Sequence, residues 1–158
     1  AKTRTGRAWQ KGVEVRDLSA LKVLLALGYR RYTNDIYWLL MPLQMLDAGV
    51  HRTSLGERTD AAGHKWDIVR MTFDPSLDIN YNVWAWINRE NGLVDEWDMK
   101  APGAPETDPP VEVFFHDFKR VAGVLISMRR EVKGKNQIVR FDDLQFLPAT
   151  PKGAFEVK

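Results

Sequence analysis

The stretch Asn82-Val83-Trp84-Ala85-Trp86-Ile87-Asn88-Arg89-Glu90-Asn91-Gly92-Leu93-Val94-Asp95-Glu96-Trp97-Asp98-Met99 decides the fold. Two runs rich in β-branched and aromatic residues flank Asn91-Gly92, a pair that supplies the positive φ angles of a tight hairpin turn. Taken as a two-residue turn, Asn91-Gly92 sets Glu90 opposite Leu93, Asn88 opposite Asp95, Trp86 opposite Trp97 and Trp84 opposite Met99. Side chains alternate along a strand, so this pairing puts three tryptophans and a methionine on one face. The other face then carries Val83, Ala85, Ile87, Val94, Glu96 and Asp98.

Working outward, the same grammar continues on both sides. Upstream, Val50–Arg58 and Lys65–Phe73 read as strands around the turn Asp60-Ala61-Ala62-Gly63, and a loop over Asp74–Asn80 leads into the tryptophan hairpin. Downstream, Ala101–Pro110 holds four prolines and a glycine and reads as an exposed loop. Val111–Phe118, Val124–Val132 and Gln137–Leu147 follow as strands. Near the start, Lys11-Gly12 offers a turn between Arg7–Gln10 and Val13–Val15. Asp17 stands where an N-cap belongs, before the helically spaced Leu18, Leu21, Leu24 and Leu25. Gly28 reads as the end of that helix, and Thr33-Asn34-Asp35 as the start of a second one over 33–41, stopped by Pro42. The expected fold is therefore mainly β within the α+β class. It is a curved antiparallel sheet or half-barrel, with a helical segment near the N-terminus packed on one face. One domain over 1–158 is expected, with 1–6 and 148–158 as tails.

Composition narrows the function classes. Of the 158 residues, 23 are basic and 21 acidic, a net charge of +2 that draws neither nucleic acid nor acidic lipid strongly. Basic pairs such as Arg30-Arg31 and Arg129-Arg130 read as solvated element ends. There is no cysteine, which removes disulfides, thiol nucleophiles and thiolate metal sites. The apolar run Ile36–Leu46 is interrupted by Pro42 and Gln44 and falls short of the roughly 20 residues a bilayer span needs. No transmembrane span and no signal core are expected in this chain.

Catalytic constellations are absent from the pattern. His51, His64 and His116 lack metal-ligand spacing, so no metal and no cofactor are expected. Ser19, Ser54, Ser76 and Ser127 sit in no nucleophile elbow. Asp95, Glu96, Asp98, Asp142 and Asp143 could form an acid/base pair only at a set separation in a cleft. Alternation sends Asp95 and Glu96 to opposite faces, so these acids read as solvated or paired with Arg129, Arg130 or Arg140. The polar spot that stands out is Asn88–Asp95, at the turn end of the tryptophan face.

Strands apolar on both faces, such as Trp66–Phe73 and Val113–Phe118, suggest a sheet whose inner side holds a helix, a ligand or both. An obligate partner surface gives the same pattern.

Arg31-Tyr32-Thr33-Asn34-Asp35-Ile36-Tyr37-Trp38-Leu39-Leu40-Met41-Pro42, with Asp47-Ala48-Gly49-Val50, Trp84–Asn88 and Asn91–Trp97, resembles an uncharacterised family of exported bacterial proteins. The resemblance covers roughly Gly6 to Leu147. That family looks distantly similar to the periplasmic lipoprotein carriers of the Lol type, half-barrels wrapped around helices with a cavity for acyl chains. Members begin well upstream, with further strands before the position of Trp9, so an early edge strand is expected to be left open to a partner.

The resemblance implies a periplasmic or extracytoplasmic location and no catalytic residues. The expected function is a non-enzymatic binding protein for a hydrophobic ligand, a lipid or acyl chain. Trp84, Trp86, Trp97, Met99, Trp38, Asn88 and Asp95 are its candidate ligand residues. The alternative is an accessory subunit that docks through its apolar face and open edge onto a larger assembly, possibly at a membrane.

Overall fold

In the computed structural model, residues 5–77, 81–105 and 107–154 are described. The outermost parts of both expected tails, the end of the Asp74–Asn80 loop and one position of the proline-rich loop lie outside the described residues. The chain divides into one unit up to Met41 and a second from Pro42 onward.

The first unit opens with a minimal hairpin. Strands β1 (Trp9–Gln10) and β2 (Val13–Glu14) pair antiparallel, Trp9 opposite Glu14. Lys11 and Gly12 both have positive φ, 50° and 79°, the geometry whose twist matches that of the strands it joins. The Arg7 Nε donates to Glu14 Oε1 at 2.6 Å, and its guanidinium lies 4.8 Å over the Trp9 ring. This pair forms its own two-stranded sheet, so the early strand expected at the edge of the main sheet is not part of it.

Helix α1 follows as a single rod over Leu18–Leu40. Its N-cap is the expected one, with the Ala20 amide donating to Asp17 Oδ1 at 2.8 Å. The expected break at Gly28 does not occur. Gly28 costs the helix about 1 kcal/mol relative to alanine, and the leucines before and the Ile36–Leu40 run after it share one helical path. Thr33, read as the start of a new helix, instead turns its Oγ1 back to the Tyr29 carbonyl at 2.7 Å inside the rod. Pro42 ends the helix, because it has no amide hydrogen and its ring would strike the preceding turn.

The second unit begins with a 3-10 turn, Leu43–Leu46, and continues as a meander. Strands β3 (Val50–Thr59), β4 (Lys65–Phe73), β5 (Asn82–Asn88), β6 (Val94–Lys100), β7 (Val111–Val121), β8 (Val124–Val132) and β9 (Gln137–Arg140) lie side by side in chain order. All six pairings are antiparallel. The sheet does not close, leaving β3 and β9 as its outer strands. The strand expected to run to Leu147 stops at Arg140, ahead of Asp143 with its positive φ of 53°. The β7–β8 hairpin runs longer than the sequence suggests, through to a tight turn at Ala122-Gly123 with φ of 47° and 86°.

Cross-strand registry fixes two faces. Met71, Val83, Ala85, Trp97, Val113 and Phe115 share one, and all six are buried. Apart from the small Ala85, each such side chain contributes at least about 1.5–3 kcal/mol of burial, and together they form the main apolar core of this unit. Arg130 also lies on this face, 1% exposed, with its guanidinium 4.6 Å over Phe115 and 5.2 Å over Phe141. Burial pushes its pKa down to about 10. It is not the solvated strand-end residue that its sequence neighbourhood suggests.

Candidate functional site

The tryptophan hairpin turns on four residues rather than two. The Gly92 amide donates to the Asn88 carbonyl at 2.8 Å and the Asn88 amide to the Leu93 carbonyl at 2.7 Å. Inside this loop the Asn88 and Asn91 side chains accept from the Glu90 and Leu93 amides, both at 2.8 Å. Two asparagines capping their own loop favour the wider turn over the tight one. The wider loop sets Asn88 opposite Leu93, and an extra residue in β6 just beyond it offsets the remaining pairs by one. Trp84 therefore opposes Asp98, Ala85 opposes Trp97, and Trp86 opposes Glu96.

A one-residue slip sends every side chain of the partner strand to the other face. The expected cluster of Trp84, Trp86, Trp97 and Met99 is accordingly split. Trp97 and Met99 go to the core face with Val83 and Val113, and Trp97 is 1% exposed. Trp84 and Trp86 stay on the opposite face and acquire Glu96 and Asp98 as cross-strand neighbours. Trp38 lies half-buried in α1, in the first unit.

A second irregularity shapes this face. Trp86 pairs with Glu96 but Ile87 pairs with Val94, so Asp95 is the extra residue of a β-bulge. The bulge brings Asp95 to the same side as Glu96, against the simple alternation expected. Its Oδ2 accepts from Asn88 Nδ2 at 2.8 Å and from Trp66 Nε1 at 3.0 Å. The Asn88–Asp95 polar spot thus exists, and it holds a third tryptophan that the sequence reading left out. Trp66 and Trp86 meet edge to face, their ring centroids 6.1 Å apart. His64 meets Trp66 in the same manner at 5.9 Å.

One step along β6, Trp86 Nε1 donates to Asp98 Oδ2 at 2.9 Å. Two of the indole N–H groups on this face are thus satisfied by carboxylates at its base. Across β6, Phe114 opposes Glu96 and Glu112 opposes Asp98. Lys133 is ion-paired with Glu112, and its ammonium lies 5.8 Å from the Phe114 ring centre. Trp66, Trp84, Trp86 and Phe114 are all half-buried, so this face keeps aromatic surface open to solvent.

Asp142 and Asp143 are exposed, whereas Asp95, Glu96 and Asp98, also expected to be solvated or paired with Arg129, Arg130 or Arg140, are engaged on this face. Arg129 is held by Asp117 at 3.0 Å and Glu131 at 3.2 Å. Glu96 and Asp98 instead form a carboxyl pair. Burial, then the Asp98 charge and hydrogen bond, push the Glu96 carboxyl up to about 8. Burial also raises Asp98, against the lowering effect of the hydrogen bonds from Trp86 and Glu96. Glu96 is the partner that keeps the proton. Asp98 is 7% exposed, and its Oδ1 is buried without an N–H donor.

The histidines are each placed beside a carboxylate: His51 with Asp74 at 2.7 Å, His64 with Asp60 at 2.9 Å, and His116 with Glu131 at 3.8 Å. Among the described residues, no group of three histidine, aspartate or glutamate side chains is arranged to hold a metal ion. None of the described helices is long and apolar enough to cross a membrane. No family model, curated protein or solved structure matches the chain.

Proposed function

We propose that the protein is a non-enzymatic binding protein that holds a hydrophobic ligand, a lipid or acyl chain, against its open sheet. The observation that carries this reading is the aromatic face of Trp66, Trp84, Trp86 and Phe114. The N–H groups of Trp66 and Trp86 are turned into Asp95 and Asp98, so hydrocarbon and π surface is what remains toward solvent. Aromatic surface of this kind, with a few fixed polar groups beside it, is the usual make-up of a small-molecule contact. In this reading Trp84, Trp86, Asn88 and Asp95 belong to the site, Trp66 and Phe114 join it, and Trp97 and Met99 support it from the core. A periplasmic setting, as the family resemblance implies, suits a carrier of acyl chains.

The test is native mass spectrometry of the full chain purified without detergent, with a fluorescent acyl probe titrated in parallel. The expected result is a monomer carrying an adduct of lipid mass, which the probe displaces. A bare chain that does not bind the probe contradicts the reading.

The accessory-subunit alternative uses the same aromatic face but gains little from the sheet edges. β3 is interrupted by a bulge between Ser54 and Glu57 and carries Arg52, Glu57 and Arg58, while β9 is four residues long. Bulges, charges and short strands are the features that discourage edge-to-edge pairing. In the same experiment, recovery of the chain only within a larger complex would favour this alternative.

A further inference from the structure

We propose that the ligand of this face is a cationic amphiphile, its protonated amine seated at Glu96 and Asp98 and its chain laid on Trp84 and Trp86. The inference rests on the binding reading above and adds the head-group chemistry.

Registry builds the seat. Glu96 has Trp86 on one side and Phe114 on the other, and Asp98 has Trp84 and Glu112. Two carboxyl groups two residues apart on one strand face stand about 6.5–7 Å apart at the backbone. Three aromatic rings flank them. A primary ammonium is the ligand group that satisfies both kinds of neighbour, with N–H donors for carboxylate oxygens and a positive charge for ring faces.

Asp98 points independently to a donor. It is a buried carboxylate whose Oδ2 is taken by Trp86 and whose Oδ1 has no N–H donor. A buried acceptor left without a donor is unfavourable, and an incoming ammonium removes that penalty. The hydrogen bond from Glu96 offsets it only in part in the free protein, because Oδ1 still has no partner among the described residues.

Three of the protein's own cations share this side of the sheet, with Lys100 two residues along β6 from Asp98. Lys133 is held by Glu112, and Arg70, opposite Trp84 on β4, donates to Asn82 Oδ1 at 3.1 Å. An anionic head group would meet Glu96, Asp98 and Glu112 together and be repelled. Among the described residues, no third suitably placed ligand for a bare metal ion joins Glu96 and Asp98.

Proton balance gives the reading a signature. The free pair holds one proton between two carboxyl groups. Seating an ammonium makes both carboxylates anionic and releases that proton to the buffer. The charged groups on this face include Glu96, Asp98 and Lys100 on β6, Glu112 on β7, Glu131 on β8, Lys133 after it and Arg70 on β4. Binding therefore tightens as pH rises toward and past 8, where Glu96 itself loses the proton.

The experiment is calorimetric titration of the full chain with octylammonium, 1-octanol and octanoate, near pH 5.5 and pH 8.5. Repeating it in buffers of different ionisation enthalpy counts the released protons. At the higher pH, octylammonium is expected to bind about tenfold more tightly than 1-octanol, the margin a buried ion contact provides. Octanoate is expected to bind weakest. At the lower pH the preference should shrink, with about one proton released per amine bound. Glu96→Gln and, separately, Asp98→Asn should each abolish the preference, read as the ratio of amine to alcohol affinity within the same variant. Equal affinity for amine and alcohol, or a preference that survives both variants, overturns the head-group inference while the hydrophobic-ligand reading stands. Failure of all three octyl compounds to bind overturns both.

Discussion

Replacing Trp97 by alanine should cost far more stability than replacing Trp84, although the two residues sit in adjacent strands of one hairpin. Trp97 is 1% exposed among Val83, Ala85 and Val113 on the core face. Removing a fully buried indole leaves a cavity and forfeits its transfer free energy, about 3–5 kcal/mol together. Trp84 is half-buried on the opposite face, and truncating it should cost about 1–2 kcal/mol. With a urea m value of about 2 kcal/mol/M for a protein of this size, the midpoint should fall by about 1.5–2.5 M for Trp97→Ala. For Trp84→Ala the same slope gives about 0.5–1 M. The assay is urea unfolding followed by far-ultraviolet circular dichroism, with m compared between variants to exclude a change in the unfolded state. A two-residue turn at Asn91-Gly92 would place both indoles on one face. Equal losses, or a larger loss at Trp84, would refute the registry described here.

Three further expectations concern other elements. Gly28→Ala should raise the thermal midpoint of the helical signal, worth about 1 kcal/mol, because nothing lies within 4 Å of the added methyl group and Gly28 is interior to α1. Destabilisation there would mean that Gly28 is a helix terminus after all. Gly123→Ala should cost about 1–2 kcal/mol in urea unfolding, purely from its φ of +86°, since space for a methyl is open. Gly123→Asn should recover much of that loss. The third expectation is a pH dependence. Glu96 has a folded pKa of about 8 against an ordinary 4.5, so the native state binds the proton more tightly than the unfolded state does. Its contribution is complete below about pH 4.5 and is lost as pH rises through that window to about 8. After allowance for solvent screening at a half-exposed group, the loss is about 1–2 kcal/mol. Glu96→Gln should flatten that segment of the stability profile, and an unchanged slope would contradict the shared-proton pair.

Much of the fold was legible because strand grammar is local. The turn at Lys11-Gly12, the Asp17 cap and the strand over Lys65–Phe73 follow from residue type and spacing, and the structure has them where expected. The sequence divides helix α1 into two pieces because Gly28 and Thr33-Asn34-Asp35 carry genuine stop and start propensities. Those preferences of about 1 kcal/mol lose to the continuity of a long helix. The site was harder, because registry depends on the turn. Asn91-Gly92 alone argues for a tight hairpin, whereas the Asn88 and Asn91 side chains together favour the four-residue loop. The bulge at Asp95, just beyond that loop, is what puts Trp97 and Met99 in the core and Glu96 and Asp98 beside Trp84 and Trp86. The bulge at Asp95 has no residue signature of its own, so the link from Asn88 through Asp95 to Trp66 becomes visible only when the third strand is in place.

The central claim is that the aromatic face of Trp66, Trp84 and Trp86, and not the face of Trp97, meets the ligand. The most direct measurement is the indole N–H region of a proton–nitrogen correlation spectrum during titration with 1-octanol, with resonances assigned through single Trp→Phe variants. The account predicts that the Trp66, Trp84 and Trp86 signals shift progressively with ligand while the Trp97 signal stays in place. Movement of Trp97 alone, with the other three unchanged, would put the ligand on the opposite face and contradict the account.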